Sequence, residues 1–204
     1  MPRNRSRRSG KRKVNKRLFI VCEGKKTEPN YFNKFIEDCN FRGKPVEVQV
    51  VKIKKNTARE LVDKADVVRE IPGDEVWAVF DKNGYTKHNE AFKKVKNKHV
   101  KIAFSSISFE YWILLHFEYT TRSFINSEKI IDYLKSKSYI DYKKSDETVY
   151  DSIKNRTVTA AANARKVRKY QSEANPNHEI FNLNPYTNVD ELLEAIKKIR
   201  EIYK

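Results

Sequence analysis

Two runs of uninterrupted apolar residues, Leu18 to Cys22 (LFIVC) and Val76 to Phe80 (VWAVF), each stop on a carboxylate: Glu23 after the first and Asp81 after the second. Five apolar residues in a row, without the alternation of a half-exposed strand, read as a strand buried on both faces. Such a strand needs helices above and below its sheet. The intervening sequence supplies them. Thr27 precedes Glu28 and Pro29 as a helix cap, with the proline tolerated in the first turn, and Tyr31, Phe32, Phe35 and Ile36 recur at helical spacing. Pro45 to Ile53 (PVEVQVVKI) reads as a second strand. Thr57-Ala58-Arg59-Glu60 is a capping box opening a helix through about Glu70, which Pro72-Gly73-Asp74 ends. A short basic helix from His88 to Lys98 and a strand from Val100 to Phe104 complete the alternation. It predicts an α/β fold with a mainly parallel sheet flanked by helices.

Phe109 to Phe117 (FEYWILLHF) is apolar on nearly every side and reads as a buried helix against that sheet, with Trp77 and Trp112 as core residues. From Thr120 to about Ala174 the chain is more polar, with helical segments at Ser127 to Lys137 and Thr157 to Glu173. Asn184-Pro185 and a cap at Thr187 introduce a last amphipathic helix whose Leu192, Leu193, Ile196, Ile199 and Ile202 face inward. The 204 residues therefore divide into a basic disordered tail at 1–17, an α/β core at 18–119 and a C-terminal helical elaboration at 120–204, whose last helix packs back on the core.

Charge narrows the function. The net charge is +16, and residues 1–17 alone (MPRNRSRRSGKRKVNKR) hold nine Lys or Arg and no acid. A block of like charge stays solvated and offers its cations to a phosphate backbone, so nucleic acid is the favoured partner, with a solubilising tail as the alternative. Cys22 and Cys39 are too few for a disulfide framework and match no zinc spacing, which suits reduced thiols. No apolar stretch is long enough for a membrane helix or secretory signal, so the expected location is the cytoplasm.

In open parallel sheets ligands gather beyond the carboxyl ends of the strands. Glu23 and Asp81 both fall at that edge, and two acids placed together repel unless a cation lies between them. Magnesium, or manganese in its place, is the expected cofactor, because it binds through one or two carboxylates and leaves positions for substrate phosphate. For either acid alone, capping a nearby helix is an equal alternative. The spacing also admits a receiver-like or nucleotide-binding domain.

Four stretches taken together, VCEGKKTEPNYF at 21–32 with FDKNG at 80–84, FSSISFEYWILLHFE at 104–118 and NPYTNVDELLEAI at 184–196, resemble the RloB-like family in order and spacing. The resemblance implies a Toprim-like fold, phage defence and metal-dependent nucleic-acid cleavage, with an ATPase related to ABC or SMC proteins as partner. It places the Toprim glutamate on Glu23, the first aspartate on Asp81 and the second on Asn83, whose amide oxygen can ligate magnesium without adding charge. Glu110, matching the family's Phe-Glu-x-Trp glutamate, is the candidate for a further acid, with a helix-start glutamate as the alternative. His116 lies about 120° from it around an ideal helix. It reads either as a catalytic proton-transfer group or as a hydrogen-bonded core histidine.

Lys25, Lys26 and Lys82 sit in the same strand-end loops and are candidates to hold phosphates, with Glu28 as a capping or orienting acid. Arg165, Arg168 and Lys169 form the basic face of a helix whose other face is Ala160, Ala161, Ala162 and Ala164, suited to lie along a nucleic-acid groove or simply to face solvent. The leading expectation is a metal-dependent nuclease acting on RNA, including transfer RNA, or on DNA. A catalytically degenerate binding module is the alternative, for which Asn83 is the chief sign.

Overall fold

The computed structural model describes residues 16–23, 26–54, 57–83 and 86–202, with the backbone alone at Glu23 and Ile202. Strand β1 (Lys16–Glu23) lies between β2 (Val46–Ile53) and β3 (Glu75–Asp81), parallel to both, and β4 (Val100–Ser106) follows parallel beside β3. A two-residue strand, β5 (Tyr186–Thr187), closes the sheet antiparallel to β4, giving the order β2-β1-β3-β4-β5. This is the mainly parallel, helix-flanked α/β sheet the sequence predicts, and it is consistent with a Toprim-like fold.

The apolar runs have the structural cause inferred for them. In β1, Leu18, Ile20 and Cys22 enter one core with α1 (Thr27–Cys39) and α4 (Phe109–Leu114), while Phe19 and Val21 enter a second core with α2 (Ala58–Val68) and α3 (His88–Val95). The strand begins two residues before its apolar run, so Lys16 and Arg17 belong to the sheet rather than to the tail. Arg17 makes this possible by bonding both oxygens of the buried Asp74 (2.8 and 2.6 Å) and one of Glu70 (2.6 Å). The rest of the tail falls outside the described residues.

Local signals set some of the helix ends. Thr57 Oγ1 accepts from the amide of Glu60 at 3.2 Å, as the capping box requires. Helix α2 stops at Val68, short of Glu70, because the amides of Glu70 and Ile71 turn to Asp74 instead. Helix α4 is six residues long and buried throughout, and the chain then tightens through short amide bonds from His116 to Ile113 (3.1 Å) and Phe117 to Leu114 (2.9 Å).

The elaboration consists of α5 (Ser127–Ser136), α6 (Val149–Ile153), α7 (Thr157–Ala174) and α8 (Val189–Ile202). Its Ile130, Leu134, Tyr142, Tyr150, Ala160, Ala164 and Leu192 share the core of Leu18 and Trp112. Thr187, expected to cap α8, lies in β5 and bonds Ser105 through their hydroxyls at 2.9 Å. Asn188 then extends the sheet edge with its side chain, accepting from the Phe104 amide (2.7 Å) and donating to the Ile102 carbonyl (3.0 Å). Among the described residues, no helix is long and apolar enough to cross a membrane.

Candidate active site

The chain leaves β1 toward β2 on one side, then crosses back through α2 to β3 on the other. The carboxyl ends of β1 and β3 therefore flank a switch in strand order, where open α/β sheets bind their ligands. The register Cys22↔Val79 brings the end of β1, Glu23, beside the end of β3, Asp81. The side chain of Glu23 and all of Lys25 lie outside the described residues.

A cavity of about 260 Å³ opens at this edge, lined by Lys26, Thr27, Glu28, Asp81, Asn83, Glu110, Ser127, Lys144 and Ser145. Each wall has a local origin. Asp81 is the last residue of β3, Glu110 stands in the first turn of α4, and Thr27 and Glu28 open α1. Glu110 is 4% exposed and accepts a hydrogen bond from the Tyr142 hydroxyl at 3.0 Å. Burial first, and then the Glu110 carboxylate, push the Tyr142 phenol well above its usual value, so it stays protonated and donates. Asn83 donates its amide to Ser127 Oγ at 3.3 Å. This bond assigns its nitrogen and leaves the amide oxygen as the acceptor. His88 reaches the back of the site, with Nε2 3.3 Å from the Asp81 carbonyl, and burial lowers its pKa.

Of the residues singled out in the sequence, Lys26, Asp81, Asn83 and Glu110 come together at this cavity, and Glu28 joins them. His116 does not. It is fully buried, with Nδ1 donating to the Trp112 carbonyl (2.9 Å) and Nε2 facing the Tyr31 hydroxyl (3.5 Å). Burial drives its pKa down to about 4, so it is neutral at neutral pH, and its place is the hydrogen-bonded core. Lys82 follows Asp81 with its amide bound to the Ser105 carbonyl, but it does not line the cavity.

Arg168, expected on a face toward nucleic acid, is engaged within the fold. It meets both oxygens of Asp190 (2.6 and 2.8 Å) and the Thr187 carbonyl (2.8 Å), fastening α7 to β5 and α8. Arg165 and Lys169 lie on the solvent side of α7, paired with Glu194 (2.5 Å) and Glu173 (3.9 Å), away from the cavity. The alanine face is split: Ala160 and Ala164 are buried, while Ala161 and Ala162 are half-buried.

Tyr142, Lys144, Ser145 and Ser127 were missed. Tyr142, Lys144 and Ser145 lie in a segment with no strand-end or motif signal, Ser127 is marked in the sequence only as a helix start, and the tertiary fold brings them to the sheet edge.

The donor set suits a hard cation. Carboxylate and amide oxygens line the cavity, and neither cysteine nor histidine does. Asp81 and Asn83 are the described residues that would hold magnesium or manganese, with Glu110 beside them as a further acid. Among the described residues, no three acidic, histidine or cysteine side chains form a ready-made metal cluster. A larger groove of about 480 Å³ beside Arg122, Phe124 and Tyr133 has Asp132 as its acid and lacks a second among the described residues.

A mainly parallel sheet with an acid-lined cavity at its switch point defines the class: an α/β protein, consistent with a Toprim-like layout, whose candidate site lies at the β1 and β3 ends. The family model described as RloB-like protein matches residues 18–196, and the chain belongs to that family. No curated protein matches the chain, and no solved structure does.

Proposed function

We propose that the chain is a magnesium-dependent nuclease that hydrolyses phosphodiester bonds in RNA or DNA. The observation that carries this reading is the convergence of Asp81 and Glu110, from two different elements, on one cavity rimmed by Lys26 and Lys144. A bound divalent cation would polarise the phosphate and lower the pKa of an attacking water. In this reading Glu110, held through one oxygen by Tyr142, takes that water's proton as its oxygen bonds to phosphorus. The bond from phosphorus to the sugar oxygen breaks, and that oxygen takes a proton from solvent. Asp81 holds the charge at the strand end, and Lys26 faces the incoming backbone.

Family membership supports a role in phage defence as the effector of a system with an ABC- or SMC-type ATPase, working in the cytoplasm. The basic N-terminal run supports nucleic acid as substrate. The second reading, a degenerate binding module, is favoured by one observation, the amide of Asn83 where a second acid would stand.

The test is cleavage of transfer RNA, single-stranded RNA and plasmid DNA with magnesium or manganese, by the wild type beside Glu23→Gln and Asp81→Asn. Metal-dependent cleavage lost in both variants is the expected result. Binding without cleavage under either metal would replace the nuclease with the binding module.

A further inference from the structure

The segment from Tyr142 to Ser145 is tied to the cavity at three points. The Tyr142 hydroxyl donates to Glu110, Lys144 Nζ donates to Ser127 Oγ at 2.7 Å, and the Ser145 amide donates to Thr27 Oγ1 at 3.3 Å. Ser145 holds a left-handed backbone, φ 75°, which a serine adopts only when its surroundings enforce it. The segment is thus a built wall of the site, with three of its four residues bonded to groups that line the cavity.

Lys144 is the charged member of that wall. Its ammonium is two hydrogen bonds from Asn83, both through Ser127 Oγ. At that position an aspartate would add a negative charge to the cation site, whereas the amide of Asn83 offers an oxygen ligand without charge. Lys144 has three N–H donors, of which Ser127 and Glu128 (3.3 Å) take two. Both lysines are ion-paired, Lys144 with Glu128 at 3.3 Å and Lys143 with Asp141 at 3.9 Å, but only Lys144 lines the cavity.

We propose that Lys144 contacts a phosphate of the bound nucleic acid directly at this cavity, adding a fixed ammonium beside a site where the uncharged amide of Asn83 stands in place of an acid. This rests on the nuclease reading and adds a substrate contact to it. A lysine is suited to the task as a compact point charge that leaves phosphate orientation to its neighbours.

The experiment measures binding of transfer RNA, single-stranded RNA and plasmid DNA in EDTA, where no cutting occurs, across a salt series. Wild type is compared with Lys144→Met, Lys144→Arg, Lys143→Met and Ser127→Ala. For the ligand that wild type binds most tightly, Lys144→Met should raise Kd about tenfold and flatten the plot of log affinity against log salt by about 0.7 to 0.9, one phosphate contact. Lys144→Arg should keep the slope. Lys143→Met should keep it too, and so should Ser127→Ala, which removes the bonding partner but not the charge. A Lys144→Met slope equal to wild type would overturn the proposal, even if wild type proves a nuclease. A flattened slope in a protein that cuts nothing with either metal would sustain the contact of Lys144 with a bound phosphate and remove the nuclease instead. Failure of wild type to bind any of the three would remove both.

Discussion

Replacing Arg168 with methionine separates a structural role from a nucleic-acid role at a residue whose charge alone suggests either. The guanidinium is 18% exposed and the Asp190 side chain 1%, so the variant leaves a carboxylate buried without its counter-charge. Breaking such a pair from one side costs about 3 to 5 kcal/mol. In a chain of this length each kcal/mol lowers the melting temperature by about 2 to 4 °C, so a fall of roughly 6 to 20 °C is expected. The assay is thermal unfolding of wild type, Arg168→Met and the double variant Arg168→Met/Asp190→Leu. The double variant should recover more than half of the loss, because an apolar pair of similar volume needs no counter-charge. In parallel, the salt dependence of nucleic-acid binding should not change. A single variant melting within about 2 °C of wild type, or a flattened salt slope at unchanged stability, would refute the clasp and return Arg168 to the binding surface.

Two further outcomes follow from the buried polar groups. His116 has its pKa driven down to about 4 in the fold, against 6.5 in the unfolded chain. The unfolded state therefore takes up the proton first as pH falls. The stability held above pH 6.5 should decline by about 3 kcal/mol between pH 6.5 and 4. Urea titrations of wild type and His116→Asn across that range should show the difference, and parallel curves would contradict a neutral core histidine. Tyr142→Phe keeps the ring but removes the donor to Glu110. It should cost about 1 to 3 kcal/mol of stability and about tenfold in metal-dependent cleavage. Unchanged turnover would release Glu110 from its proposed part in the reaction.

The two central strands and their terminal acids were legible because burial on both faces forbids polar alternation, and LFIVC and VWAVF have none. The Thr57 capping box was legible because its chemistry is local. Strand β5 was not: two residues give no periodicity, and its edge is completed by the side chain of Asn188 across 84 positions. His116 and Arg168 carry the same residue types as working acids, bases and phosphate binders. Their burial and their partners Trp112 and Asp190 are tertiary facts. Glu110 was found from its motif, but Tyr142, which holds it 32 positions away, left no trace in the spacing.

The cavity draws on both halves of the chain: Asp81 and Glu110 come from the early strands and α4, while Tyr142, Lys144 and Ser145 come from the later segment. Arg168, Thr187 and Asp190 then lock the last elements onto the same core. A nascent chain still on the ribosome thus carries the acids long before it has the wall that holds them. Under the proposed nuclease reading, that order of emergence withholds a complete cutting site until the later segment has been made and folded.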